Sequence, residues 1–190
     1  MFVKDVVLLA CKELGLLEVA DEIKSGQVSG GVQAEIDRLV GAINLAVETI
    51  VSSDCSVVLS EEVVSDAEGK VPLSDFARGV YMVLDAKSCD SGESVDYLLM
   101  PFHLYLPDKN ARFRVAYKAG SKPVEKLDDQ IEIPPFVGLG VLTRAVVYEY
   151  LLSKNCYSEA TFWKESFEDA FSRAKIKNKK YRFKTYTNWL

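Results

Sequence analysis

Residues 32–64 read VQAEIDRLVGAINLAVETIVSSDCSVVLSEEVV, and the fold turns on the change of period inside them. Up to Val51 the apolar residues recur at helical spacing. Val32, Ile36, Leu39, Val40, Ile43, Val47 and Ile50 form one stripe, while Glu35, Asp37, Arg38, Asn44 and Glu48 occupy the other face. From Val57 to Val64 the spacing gives way to a short β-branched run, which predicts a strand. A long helix over about Val32 to Val51 therefore ends where a β-rich region begins.

Towards the N-terminus, Val3, Val6, Val7, Ala10, Cys11 and Leu14 share one helical face, and Gly15 with Leu16 behind it reads as a glycine stop. Leu17 to Lys24 predicts a second, short helix, and residues 25–31 a loop. Towards the C-terminus, strands are expected at Val57 to Val64, Lys70 to Leu73, Val80 to Leu84, Tyr97 to Leu99, Phe102 to Leu106 and Arg112 to Lys118. Turn chemistry separates them, as at Asp66-Ala67-Glu68-Gly69 and Asp90-Ser91-Gly92. Helix returns after Pro134-Pro135, since proline suits a first turn, and presents Val137, Val141, Ala145, Tyr148, Leu151 and Leu152 up to about Asn155. A fifth helix starts at Ser158 as N-cap, with Tyr157 and Phe162 spaced for a hydrophobic staple and a stripe of Trp163, Phe167, Ala170, Phe171 and Ala174. The expectation is an α+β protein. A helical bundle is built from both chain ends (1–55 and 134–174), a β-rich insertion covers 56–133, and an extended C-terminal arm covers 175–190.

The composition, 48% hydrophobic and 27% charged, excludes a disordered chain. The apolar runs are too short to span a bilayer, and no signal peptide is expected. Four scattered cysteines, Cys11, Cys55, Cys89 and Cys156, give no zinc spacing and suit folding in a reducing cytoplasm. The single histidine, His103, lies between Phe102 and Leu104 without a nucleophile motif. The carboxylate pairs Asp21-Glu22, Glu61-Glu62, Asp128-Asp129 and Glu168-Asp169 read as solvated neighbours. Gly138 and Gly140 fall inside a helical pattern and read as close helix packing, or as local softness in the helix, rather than a phosphate loop. No catalytic residue, metal or cofactor is expected.

The distinctive segment is the end. Arg173, Lys175, Lys177, Lys179, Lys180, Arg182 and Lys184 bring seven positive charges to a chain of net charge −5, and no acid follows Asp169. Tyr181, Phe183, Tyr186, Trp189 and Leu190 are interleaved with or follow them. Aromatic residues mixed with basic ones suit a segment that orders on a partner. The alternation of Tyr181 and Phe183 with Arg182 and Lys184 would also suit an added strand. These twelve residues are the expected partner-binding site.

The layout resembles the head-to-tail adaptor (connector) proteins of tailed bacteriophages. The residues that carry the likeness are Asp5 to Gly15, Ile43 to Ile50, Phe102 to Pro107 with Arg112 to Tyr117, and Asp128 to Pro135 with the two helices after it. The resemblance implies a non-enzymatic structural protein of the virion neck. It forms a ring of its own copies, twelve-fold in the family. The ring docks on the portal through the C-terminal segment, meets a downstream tail or nozzle protein through the β region, and lets DNA pass without specific binding. An acidic body suits such a channel, because it repels phosphates. The alternative is a small cytosolic regulator that grips nucleic acid or an acidic protein through the same tail; a small enzyme built around His103 is the third possibility.

Overall fold

The computed structural model describes residues 1–53 and 57–183 of the 190, with side chains described up to Ile176. The chain is α+β. In order it runs α1 (Val3–Leu14), α2 (Leu17–Ser25), α3 (Gly30–Ser52), β1 (Val57–Val64), β2 (Lys70–Pro72), a 3₁₀ turn (Leu73–Asp75), β3 (Val80–Ser88), β4 (Leu98–Leu99), β5 (His103–Tyr105), β6 (Arg112–Ala119), α4 (Leu139–Ser153) and α5 (Tyr157–Phe183). It divides into two compact units, Met1–Thr49 with Pro123–Leu190, and Ile50–Lys122.

In the helical unit the α3 stripe is buried at every position from Val32 to Ile43 and at Val47. α1 buries Val3, Val6, Val7, Ala10 and Cys11. It ends on Gly15 at φ 71°, a conformation open to glycine at low cost, with the Leu16 N–H donating to the Cys11 carbonyl at 2.8 Å. The start of α1 has no side-chain cap. Its free N–H groups are met instead by the returning chain: Val3 donates to Asp129 and Lys4 to Leu127, while Ile131 donates to Met1. Asn44 makes two further bonds to that segment, accepting from the Val124 N–H and donating to its carbonyl, each at 2.9 Å. These bonds tie residues 123–133 to the helical unit, although in sequence they read as part of the insertion.

α4 begins at Leu139, later than Pro134-Pro135 predicts. A proline keeps the residue before it extended, and Gly138 is extended too, at φ −75° and ψ 165°, as the N-cap. The glycine-packing expectation fails with it. A Cβ at Gly138 would meet nothing within 4 Å, and one at Gly140 only Arg144 Nη1 at 3.7 Å. α4 packs against α1 and α5 and is buried on more than one face, through Leu142, Thr143, Ala145, Val146, Val147 and Tyr150. The expected stripe, with Val141, Tyr148, Leu151 and Leu152, is only partly buried because this helix is central rather than amphipathic. α5 opens at Tyr157, and its staple is not formed: Tyr157 and Phe162 are both exposed.

The β unit has two three-stranded antiparallel sheets, ordered β1-β6-β3 and β2-β5-β4. One core lies under both: Val63, Val71, Phe76, Val83, Ala86, Leu104, Leu106, Phe113, Val115, Tyr117 and Ala119. The alternation read in Arg112 to Lys118 holds, with Phe113, Val115 and Tyr117 fully buried and Arg112 and Arg114 exposed. The Asp66–Lys70 turn is closed by Asp66, whose carboxylate accepts from the Glu68 and Lys70 N–H groups at 2.8 Å each. Gly69 sits there at φ 82°, and a Cβ would come within 2.5 Å of the Leu106 carbonyl oxygen. Gly69→Ala is therefore expected to cost at least about 2 kcal/mol, read as a fall in the urea midpoint, from left-handed strain and a clash with backbone that cannot turn aside.

Candidate partner-docking surface

The last helix is anchored by a row of aromatic rings. Phe167 and Phe171 are buried on α5 with ring centroids 5.4 Å apart, and Phe136, ahead of α4, stacks on Phe171 at 6.3 Å. Apolar and aromatic faces of this kind fix one side of the helix, so the opposite side is left to solvent. On that side Ile176 is 55% exposed and Phe162 is 66% exposed, its ring meeting Trp163 edge to face at 5.9 Å. Phe162 and Trp163 form one wall of a groove of about 370 Å³ between α1, α4 and α5. Leu9, Glu13, Gly140, Thr143, Arg144 and Ser166 line the rest. The sequence reading missed this groove. Its signal was the glycine inside the α4 pattern, which lines the same groove as Trp163 only once the helices are packed.

The predicted site residues fall into three groups. Arg173 and Lys175 are described, and both have partners within α5. Arg173 pairs with Asp169 through two contacts, at 3.0 and 2.7 Å, and the Lys175 ammonium lies 4.7 Å above the Phe171 ring. Lys177, Lys179, Lys180, Tyr181, Arg182 and Phe183 belong by backbone to α5, which runs on to Phe183. The helix thus extends beyond Ala174, where the sequence reading placed an extended arm. The strand-addition geometry suggested for Tyr181 to Lys184 does not fit a helical backbone at Tyr181 to Phe183. Lys184, Tyr186, Trp189 and Leu190 lie outside the described residues.

Glu35, which the sequence places on the polar face of the long helix, links two helices of the helical unit. Glu35 on α3 accepts from the Tyr150 hydroxyl at 2.8 Å, from Lys154 Nζ at 2.6 Å and from Arg38 at 3.1 Å, which joins α3 to the end of α4. The Lys154 ammonium, then the Tyr150 hydroxyl, holds the Glu35 carboxyl below the usual range. Burial drives the Tyr150 hydroxyl far above its ordinary value, and burial pushes the neighbouring Cys11 thiol up to about 11. A carboxyl whose folded pKa is depressed contributes stability above its unfolded pKa and loses it as pH falls through the folded one. Glu35→Gln is therefore expected to lower stability by about 1–2 kcal/mol at neutral pH. The two urea-midpoint curves should converge below the ordinary carboxylate range.

The residues weighed as reactive groups are spread through the fold. His103 is half-buried in β5, opposite Pro72. The carboxylate pairs split. Glu22 holds the Ser29 backbone and hydroxyl, and Asp21 pairs with Lys24. Glu61 turns inward to the Tyr117 hydroxyl and the Ala77 N–H, whereas Glu62 turns outward to Arg114 at 2.6 Å. Burial first, then the bond to Glu61, pushes the Tyr117 hydroxyl up to about 12. Asp129 accepts from the N–H groups of Glu125 and Lys126. Among the described residues no three His, Cys, Asp or Glu side chains gather as metal ligands, and no helix is long and apolar enough to cross a membrane. No known family's profile matches this sequence, and no curated protein matches it significantly.

Proposed function

We propose that the chain is a structural assembly subunit, the ring-forming head-to-tail adaptor of a tailed-bacteriophage virion. In this reading a helical platform made from both chain ends carries a β-rich insertion. The C-terminal segment docks the platform on the portal, and the β unit meets the downstream tail or nozzle protein. The ring surrounds the DNA channel without gripping DNA.

The observation that carries the reading is α5. The helix is anchored by Phe136, Phe167 and Phe171 and then continues into the basic, aromatic stretch that ends the sequence. A segment of that composition, started on a fixed helix, is suited to ordering against another protein, and many copies in a ring add weak contacts into a strong one. The division into a helical unit and a contiguous β unit supplies two surfaces for two partners.

Particle images of the chain mixed with purified portal rings test the proposal. A ring of copies seated on each portal is the expected result. A chain that stays monomeric and binds no portal ring refutes it. Salt-sensitive binding of duplex DNA, lost when Lys179, Lys180 and Arg182 are neutralised, would favour the nucleic-acid regulator instead.

A further inference from the structure

The last strand of a sheet carries N–H and C=O groups with no neighbour, so an edge is where another chain can pair. The edges of this β unit are finished unequally. β3 is irregular between Val80 and Met82 and again between Val83 and Asp85. Its outer side is also taken up by the segment that follows it. Ser88 donates to the Glu93 carbonyl, Val95 donates to Ala86, and the Tyr97 hydroxyl donates to the Val83 carbonyl at 2.9 Å. β2 is three residues long and ends in Pro72, and β4 has two residues. β1 has none of these guards. Its eight residues pair with β6 without interruption from Val57↔Ala119 to Val64↔Arg112, and they include no proline, lysine or arginine.

The ladder gives the direction of the open groups. Just past β1 the Ser65 N–H donates to the Ala111 carbonyl across the pair. Backbone groups alternate sides along a strand. Val58, Ser60, Glu62 and Val64 therefore direct their N–H and C=O groups away from β6, and among the described residues nothing bonds to them. The side chains of the same four residues are exposed, Val58 at 57% and Val64 at 60%.

We infer that β1 is a docking edge for an extended segment of a different polypeptide, which joins the sheet antiparallel beside β1. Extended backbone is the occupant that meets donors and acceptors alternating along one line. The side chains set its register. Val58 calls for an apolar residue opposite. Glu62 is bonded to Arg114, and Arg112, which faces Val64 across the pair, also acts on the Glu62 charge, so two cations stand against one carboxylate and an acid opposite Val64 answers the excess. A second copy of this chain fits poorly. Opposite residues of an antiparallel pair share a face, and the two registers with the longest overlap of two β1 strands centre on Ser60 or Glu61. The first opposes Glu62 to Val58, and the second Glu61 to Glu61.

The test needs no portal ring, so it is decided separately from the adaptor reading. The intact protein is titrated to about 5 mM with the end-blocked peptide Thr-Asp-Thr-Thr-Thr-Ser-Thr-Val-Thr, a range that captures a millimolar Kd. Amide exchange is followed by NMR. Exchange is expected to slow at Val58, Ser60, Glu62 and Val64, and binding is expected to weaken when lysine replaces the peptide's aspartate. Ser60→Pro, and separately Val58→Pro, should abolish binding while unfolding stays cooperative, because each removes an outward N–H and no β1–β6 bond. No change at these four amides overturns the proposal. So does equal binding of the lysine peptide, or binding that survives in a folded proline variant.

Discussion

If the chain is the proposed adaptor, a version cut after Ala174 will fail to seat on portal rings, while its helical unit unfolds at nearly the same urea concentration as in the full chain. The packing that fixes α5 lies upstream of the cut, in Ala160, Phe167 and Phe171 and in the stack of Phe171 on Phe136. Removing the last part of α5 and everything after it takes away no described buried side chain, so stability should change by less than about 1 kcal/mol. The same cut takes away six basic residues and all five of the terminal aromatic and apolar ones, from Lys175 to Leu190. If docking depends on them, the loss is complete, because a ring loses the contact at every subunit at once. Co-sedimentation with portal rings, beside a denaturation curve of the same sample, separates the two effects. Unchanged docking by the shortened chain would remove the tail from the mechanism.

Phe113→Ala is expected to cost about 3–5 kcal/mol. Phe113 is fully buried on β6, within the one core that underlies both sheets. Truncating it leaves a cavity where two layers meet, and backbone paired on both sides of β6 has little freedom to close it. The other face of the same sheet supplies the contrast. Val58 is 57% exposed, so Val58→Thr should change the stability read from urea unfolding by no more than about 0.5 kcal/mol. Equal effects of the two substitutions would mean that the assignment of inner and outer faces is inverted.

Elements with a clean period were legible from the sequence. The α3 stripe, the α1 face with its glycine stop and the β6 alternation each put apolar residues where burial needs them, while β1 was legible as a β-branched run although Val58 and Val64 are exposed. Reading was weaker where long-range contacts decide. Nothing local tells that α4 is enclosed by its neighbours, or that Gly138 is an extended cap rather than a packing site. Asn44 and Glu35 looked like ordinary polar-face residues. Their roles depend on Val124, Tyr150 and Lys154, each at least 80 positions away in the chain. Of the expected docking residues only Arg173 and Lys175 can be followed to their side chains, and both are engaged within α5. A run of like charges in sequence does not reveal that an acid one turn back will answer the first of them.

The helical unit is made from two separated stretches, Met1–Thr49 and Pro123–Leu190, and this sets an order of events during synthesis. α1, α2 and α3 leave the ribosome first, but the Tyr150 and Lys154 that meet Glu35, and the α4 that packs on α1, do not yet exist. The β unit is one unbroken stretch, so every residue of its core is in hand while those helices still wait with apolar faces uncovered. Translation thus imposes a delay on the platform that it does not impose on the sheets. A nascent chain halted before α4 would be the form most in need of a chaperone.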